Sequence, residues 1–245
     1  MFGKRFQAYR AEAQKFQRER PQVYRRLPLW QFYAPWRKSL GHAQTPLQDE
    51  APWITFGARR FLEQILRSSD QVFEYGSGGS SIFFARRVAR VVTVEHDAAF
   101  IAQVREALAR LRLKNCDLRH IPPEPDAGWT QKDPAVPGDY ISSAEQFRGQ
   151  SFRAYATAID ALGEFDVVSV DGRARPACFR HAVRHVKPGG WIMLDNAERA
   201  IYRDAHDLMA RAAWPLRDFY GPGPYNTYFW QTCLWQRPAH GPLPA

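Results

Sequence analysis

Hydrophobic positions along the chain follow two different periods. Short apolar runs rich in β-branched residues, typical of strands buried in a sheet, are separated by stretches whose apolar residues lie three or four positions apart, typical of helices. The predicted strands are 72–75, 91–94, 116–121, 165–170, 191–194, 216–220 and 227–236. The last two are joined by a Gly-Pro-Gly-Pro-Tyr-Asn turn, which favours an antiparallel pair. The alternation predicts an α/β fold with a doubly wound, mostly parallel seven-stranded sheet and a reversed last strand.

The stretches between the strands differ in kind. Helical periodicity predicts helices at 97–113, about 150–162, 176–186 and 197–212, and another one beyond residue 52, ahead of the first strand. Residues 122–149 have no such pattern and contain five prolines. A 28-residue connection is too long for an ordinary link in a compact domain. We therefore predict a functional loop or lid there, on the side where ligands bind.

A glycine turn follows the first predicted strand. The sequence Gly-Ser-Gly-Gly at 76–79 allows the backbone to bend sharply and to approach a ligand closely. Ser80 and Ser81 can cap the following helix, whose first amides form a donor-rich end. Glu95 ends the next strand, where nucleotide-binding units place a carboxylate against ribose hydroxyls. Glu74, just before the turn, would repel a pyrophosphate, so a dinucleotide is disfavoured.

The pattern Glu74-x-Gly76-x-Gly78, with Glu95 at the end of the next strand, resembles motif I of the class I S-adenosylmethionine-dependent methyltransferases. The resemblance covers roughly residues 52–238 and implies a Rossmann-like domain with S-adenosylmethionine as its cofactor. In that family the corresponding acid lies near the positively charged methionine end of the cofactor. The chain departs from the pattern at Ser80, where many members have a third glycine. The cofactor-binding residues that the resemblance implies are Glu74, Gly76, Ser77, Gly78, Glu95 and Asp171.

Acidic residues also end two later strands that the fold places side by side. Asp171 follows one of them, and Asp195 and Asn196 end the next. Two carboxylates and an amide suit Mg²⁺, and the arrangement resembles the cation-dependent O-methyltransferases of the catechol and caffeoyl-CoA type. The resemblance implies Asp171, Asp195 and Asn196 as metal ligands. The alternative is helix capping, since Asp195-x-x-Glu198 is similar to a capping box.

These resemblances imply methyl transfer to a hydroxyl of a small molecule or a glycan, with Asp171 and His96 as catalytic residues. The catechol-type pattern has a lysine base after its first aspartate, but here Gly-Arg-Ala-Arg follows at 172–175, and arginine stays protonated. His96, beside the cofactor acid, is a replacement, and Tyr140 and His120 are alternatives. An N- or RNA-directed methyltransferase and a non-catalytic binding protein with this fold are alternative functions.

The N-terminal part of the chain differs in charge from the rest. Residues 1–50 contain ten Lys/Arg and four Asp/Glu, out of a net charge of +9 for the whole chain. Phe2, Phe6, Tyr9 and Phe16 share one face of a helix predicted to end near Arg20. We therefore divide the chain into a basic, aromatic N-terminal helical extension, 1–50, and a Rossmann-like domain, 51–245. The extension either docks on an anionic membrane surface or a nucleic acid, or packs its aromatic face on the domain.

Cysteine usage and hydropathy indicate the cellular compartment in which the protein is expected. Three cysteines lie far apart without a Cys-x-x-Cys motif, which indicates neither a disulfide framework nor a zinc cluster. No apolar run approaches twenty residues, and the first residues lack a signal-peptide pattern. We expect a soluble, cytoplasmic protein whose partners are the methyl acceptor and, through self-association, a second copy of the chain.

Overall fold

A seven-stranded sheet runs through the centre of the molecule in a computed structural model, which describes residues 3–19, 21, 29–41, 45–240 and 243–244. The strand order is β3-β2-β1-β6-β7-β9-β8, in which β9 is antiparallel to both of its neighbours and the other pairings are parallel. The strands are β1 (Gln71–Tyr75), β2 (Arg90–Glu95), β3 (Cys116–His120), β4 (Glu124–Pro125), β5 (Gln150–Ser151), β6 (Phe165–Val170), β7 (Val186–Asp195), β8 (Leu216–Gly221) and β9 (Trp230–Gln236). The predicted fold class and the reversed last strand are confirmed.

Helices cover both faces of the sheet. They are α1 (Lys4–Glu19), α2 (Tyr33–Ser39), α3 (Phe56–Ile65), α4 (Gly79–Ala85), α5 (Ala98–Arg110), α6 (Arg153–Ala156), α7 (Arg175–Ala182) and α8 (Arg203–Ala212). Because side chains alternate along a strand, Val72 packs with α3, α4 and α5 on one face, while Phe73 packs with α6, α7 and α8 on the other. The two hydrophobic cores lie on the two faces of the sheet, so residues at the strand ends can be polar.

Three boundaries differ from the sequence prediction. β7 begins at Val186 and includes the Lys-Pro-Gly-Gly segment, because a β-bulge shifts its register with β6 between Phe165 and Val167. The helix predicted at 150–162 is the short α6 followed by a 3₁₀ turn, Thr157–Ile159. The helix predicted at 197–212 starts only at Arg203, after another 3₁₀ turn. Residues 122–149 hold only the two-residue strand β4 and isolated 3₁₀ turns, as expected for a long loop.

Helix α1 packs its aromatic face on the end of the sheet. The ring of Phe16 stacks on that of Tyr220 at 4.6 Å, and the ring of Tyr9 meets that of Phe229 edge-on at 5.1 Å. The backbone amide of Phe229 also donates to a carboxylate oxygen of Glu12 at 3.0 Å. The extension is therefore joined to the domain by a buried cluster, as the packing alternative required. Phe2 and Arg20 lie outside the described residues.

Within the described ranges, the structure contains no helix of sufficient length and apolar character to cross a membrane.

Candidate functional site

The acids singled out in the sequence meet at one edge of the sheet. Strands β2, β1, β6 and β7 are consecutive and parallel, so their carboxyl ends lie side by side. Glu95 ends β2, Glu74 is the last residue but one of β1, Asp171 directly follows β6, and Asp195 ends β7. In open α/β sheets this edge is where ligands bind.

The glycine turn is held closely against the segment that follows β6. Gly76 has φ of +91°, and its amide donates to the carbonyl of Val94 at 2.9 Å. A Cβ at Gly76 would come within 2.9 Å of the Cα of Gly172, so a side chain has no room there. The amide of Gly78 donates to the hydroxyl of Ser81 at 3.0 Å, which confirms Ser81 as a cap of α4.

Glu74 is a fully buried acid with an unused acceptor atom. Its Oε2 accepts a hydrogen bond from the Ser81 hydroxyl at 2.5 Å, whereas Oε1 has no hydrogen-bond partner among the described residues. Burial raises the pKa of Glu74 to about 7, and the nearby hydroxyls only partly offset this effect. A buried acid of this kind favours a cationic group nearby, which would balance the charge of its ionised form.

Glu95 ties the glycine turn to the end of β2. Its Oε2 accepts from the amide and the hydroxyl of Ser77 at 3.0 and 3.2 Å, and its Oε1 accepts from the amides of His96 and Asp97 at 2.8 and 3.0 Å. Burial raises the pKa of Glu95, but the hydrogen bonds from His96 and Asp97 outweigh it and leave the pKa below its usual value. Glu95 is thus ionised. A ribose bound as predicted would contact the same carboxylate that already accepts hydrogen bonds from Ser77.

His96 lies between the cofactor acid and the long loop. Its Nδ1 is 2.6 Å from Oε1 of Glu95, and its ring meets that of Phe147 at 5.0 Å and that of Phe152 at 5.7 Å. His120, one of the alternative bases, approaches only the backbone of His96, with Nε2 3.2 Å from its carbonyl oxygen. His96 is therefore the histidine that directly contacts the predicted cofactor residues.

Tyr140 faces away from these acids. Its hydroxyl lies 3.1 Å from Nε2 of His181, whose Nδ1 lies 2.9 Å from Oδ1 of Asp160. His185 approaches the same aspartate, with Nε2 3.7 Å from Oδ1. Through these contacts the long loop is attached to α7. Tyr140, His181 and His185 therefore have a structural role.

The space between Asp171, Asp195 and Asn196 is filled by the guanidinium of Arg175. Its five N–H groups meet five acceptors: the carbonyl oxygens of Asp171, Gly172 and Asp195, Oδ1 of Asn196 and Oδ1 of Asp171. The contact with Oδ1 of Asp171 is an ion pair of 2.8 Å. A fixed cation of the protein therefore lies where the sequence predicted a metal ion.

Asp195 has its own partners in the reversed strand. Its Oδ1 accepts from the hydroxyl of Thr232 at 2.6 Å and from Nε1 of Trp230 at 3.0 Å. Burial, together with the neighbouring charge of Asp171, raises the pKa of Asp195 to about 8. Its carboxyl group is thus already occupied by donors of the protein itself.

The described residues thus do not fit the predicted cation site. Within them, no group of three or more His, Cys, Asp and Glu side chains is placed to hold a metal ion. The capping alternative is also wrong, because neither aspartate is the N-cap of the helix that follows, and Glu198 accepts from the backbone amide of Gln231. The acids at these two strand ends instead form a protein-internal network around Arg175.

A polar pocket adjoins the glycine turn on the side of the long loop. Its cavity volume is about 40 Å³, room for only a few water molecules, and the pocket opens to the solvent. The loop contributes Ser142 and Ser143, and Gly172, which contacts Gly76, is part of the wall. The predicted role of residues 122–149 as a functional loop thus has a structural counterpart, since the loop forms one side of this pocket.

Three residues of this site, Arg175, Trp230 and Thr232, were not predicted from the sequence. Asp171 and Arg175 are four positions apart on a segment that enters a helix, a spacing that often supports an ion pair and could have indicated the contact. Thr232 and Trp230 gave no such signal, because 37 and 35 positions separate them from Asp195 and only the reversed strand brings them close.

Comparison with known proteins identifies the fold. No family model matches the chain, and no curated protein matches it in sequence. Among solved structures, a candidate O-methyltransferase of Klebsiella pneumoniae is 16% identical and superposes with a TM-score of 0.57, over 97% of this chain and 100% of that chain. An O-methyltransferase of Bacillus cereus, in complex with SAH, is 17% identical with a TM-score of 0.53, over 85% of this chain and 88% of that one. The chain therefore has the Rossmann-like fold of the class I S-adenosylmethionine-dependent methyltransferases.

Proposed function

We propose that this protein is an S-adenosylmethionine-dependent methyltransferase that methylates a hydroxyl of a small molecule or a glycan. The observation that carries the proposal is Glu74, a fully buried carboxylate with a free oxygen beside the glycine turn. Such an acid disfavours the pyrophosphate of a dinucleotide and favours a ligand with a cationic group. The cofactor of the methyltransferases that share this fold has such a group in its amino acid part.

The residues around the turn fit this cofactor. Glu74, buried beneath the turn, would balance the charge of its ammonium group, and the backbone of Gly76, Ser77 and Gly78 would face it without side-chain obstruction. Glu95 is ionised and already holds Ser77 in place, so it can accept from ribose hydroxyls at the other end. When bound, S-adenosylmethionine supplies an electrophilic methyl group.

The pocket beside Gly172 is the place for the acceptor, because its wall touches the glycine turn. There the chain can orient a hydroxyl and exclude part of the solvent, which are general contributions to catalysis. The candidates for taking the proton of that hydroxyl are Asp171 and His96, which lie outside the lining of the pocket. Asp171 follows the strand end beside the pocket with a quarter of its side chain exposed, and His96 lies on the cofactor side. No metal ion takes part in this scheme, since Arg175 fills the corresponding space.

Isothermal titration calorimetry tests the proposal. We expect S-adenosylmethionine and S-adenosylhomocysteine to bind the full chain and NAD not to bind. A Glu74→Gln variant should bind both sulfur ligands about tenfold more weakly, because the negative charge that balances the ammonium group is lost. Binding of NAD without binding of either sulfur ligand would refute the proposal.

A further inference from the structure

The pocket beside the glycine turn has an unusual charge balance. Three arginines, Arg173, Arg175 and Arg199, belong to its lining, and no acidic residue does among the described residues that form it. The charge of Arg175 is compensated, since all five of its N–H groups bind protein oxygens and Asp171 forms the ion pair. Two guanidinium groups therefore remain to set the charge of the pocket.

Arg173 and Arg199 interact electrostatically with Asp171, but that carboxylate is already ion-paired with Arg175. Neither has an acidic oxygen within ion-pair distance anywhere in the described part of the chain. Arg173 is half-buried, and its guanidinium lies 5.3 Å from the ring centre of Phe147 on the long loop. This cation–π contact orients the group without neutralising it. Three guanidinium groups thus share one carboxylate, Asp171, and the excess of positive charge favours an anion in the pocket.

The rest of the lining supports the same conclusion. Ser142 and Ser143, from the long loop, add hydroxyl groups to the lining, which is mostly polar. A guanidinium fork matches the two oxygens of a carboxylate or a phosphate, and hydroxyls complete the coordination of such a group. The small cavity volume of the pocket, about 40 Å³, restricts the enclosed part of the ligand to a group of a few atoms, such as a carboxylate or a phosphate.

We propose that the methyl acceptor carries a carboxylate or phosphate group, and that Arg173 and Arg199 bind this group in the pocket and so position the hydroxyl to be methylated. The inference rests on the proposed function, because the ligand is an acceptor only if methyl transfer takes place. In this arrangement Arg175 is a positioning residue that holds the strand ends, whereas the other two arginines contact the substrate.

Three ring compounds of similar size serve as probes: benzoate, phenyl phosphate and neutral phenol. Their Kd values are measured by NMR titration of the full chain saturated with S-adenosylhomocysteine. We expect at least one of the anions to bind roughly tenfold more tightly than phenol, since a charge-assisted pair is worth about that factor. The comparison of benzoate with phenyl phosphate distinguishes a carboxylate from a phosphate as the preferred group.

Arg173→Gln and Arg199→Gln each remove one of the two groups, and each should weaken binding of the preferred anion about tenfold while leaving phenol unchanged. Arg184→Gln is the matched control, because it removes the same charge from an exposed position outside the pocket. Unchanged anion affinity in both pocket variants overturns the inference, as does equal affinity for anions and phenol, or no binding of any probe at millimolar concentration. Affinity for S-adenosylhomocysteine is recorded for every variant, and its absence in the unmodified protein would refute the proposed function instead.

Discussion

Arg175 and Asp171 form an ion pair of 2.8 Å at the carboxyl end of the sheet, and the guanidinium also binds the carbonyl oxygen of Asp195 and the side chain of Asn196. One arginine thus joins the ends of two neighbouring strands. It provides a permanent positive charge in a place where the carboxylates alone would repel each other. The site consequently combines a structural cation on one side with a buried, incompletely satisfied acid, Glu74, on the other.

The first prediction concerns Glu74 and pH. Its pKa of about 7 in the folded protein lies above the ordinary value of 4.5, so folding favours the protonated form. The stability associated with this proton is fully present below pH 4.5 and is lost as the pH rises through 7. Between pH 5 and 8 the free energy of unfolding of the wild type should therefore fall by about 3 kcal/mol more than that of Glu74→Gln.

Urea unfolding at several pH values measures this difference. Glu124→Gln, a change at an exposed acid, is the control and should follow the wild type. Parallel pH curves for wild type and Glu74→Gln would contradict the raised pKa.

The second prediction concerns metal ions. Because Arg175 occupies the space between Asp171 and Asn196, neither EDTA nor added Mg²⁺ should change the Tm of the protein or its affinity for S-adenosylhomocysteine. A cation that bound the folded state would raise the Tm with concentration. Thermal unfolding in EDTA and in millimolar Mg²⁺ decides the question, and a Mg²⁺-dependent rise would speak for a metal site.

The third prediction concerns the ion pair itself. Arg175→Met removes the cation but keeps much of the side-chain volume, and it leaves Asp171 and the carbonyl of Asp195 without their partner. We expect a loss of about 3 kcal/mol in the free energy of unfolding. Arg180→Met breaks a more exposed pair with Asp204 and should cost less than about 1 kcal/mol. Equal losses in the two variants, measured by urea unfolding, would show that Arg175 has no special structural role.

The fourth prediction concerns Gly79, at the start of α4. A Cβ there would overlap the carbonyl oxygens of Pro46 and Ala51, since the segment before α3 passes directly over the glycine turn. Gly79→Ala should therefore lower the free energy of unfolding by at least about 2 kcal/mol. Gly138→Ala is the control, because a Cβ at that position meets no atom within 4 Å. If urea unfolding gave the same stability for both variants, the close contact between residues 46–51 and Gly79 would be refuted.

The fifth prediction concerns the N-terminal helix. Phe16 is buried against Tyr220, so Phe16→Ala should destabilise the protein by about 3 kcal/mol or more, whereas Tyr228→Ala, at a half-exposed ring, should cost much less.

Binding of this helix to anionic lipid or nucleic acid stays a prediction. It would involve the exposed basic side chains of α1, and vesicle or RNA binding that weakens with salt and is lost on charge reversal of Lys15 and Arg18 would support it.

The sequence by itself determined the parts of this protein that depend on neighbouring residues. Apolar periodicity located the strands, and the order of elements required a parallel sheet with a reversed end. The glycine turn and the acids Glu74 and Glu95 could be assigned to one edge of the sheet, because every parallel strand of a doubly wound fold ends there.

Tertiary structure alone decided which groups meet at that edge. The sequence pattern offered Asp171, Asp195 and Asn196 as a cluster of oxygens, but the direction of the Arg175 side chain depends on its burial beneath two strand ends. Likewise, Thr232 reaches Asp195 only because β9 lies antiparallel to β7. No sequence pattern shows which charge or hydroxyl of a distant segment will lie beside a given carboxylate. At contact distance, however, that group determines whether the carboxylate binds a metal ion, an arginine or a proton.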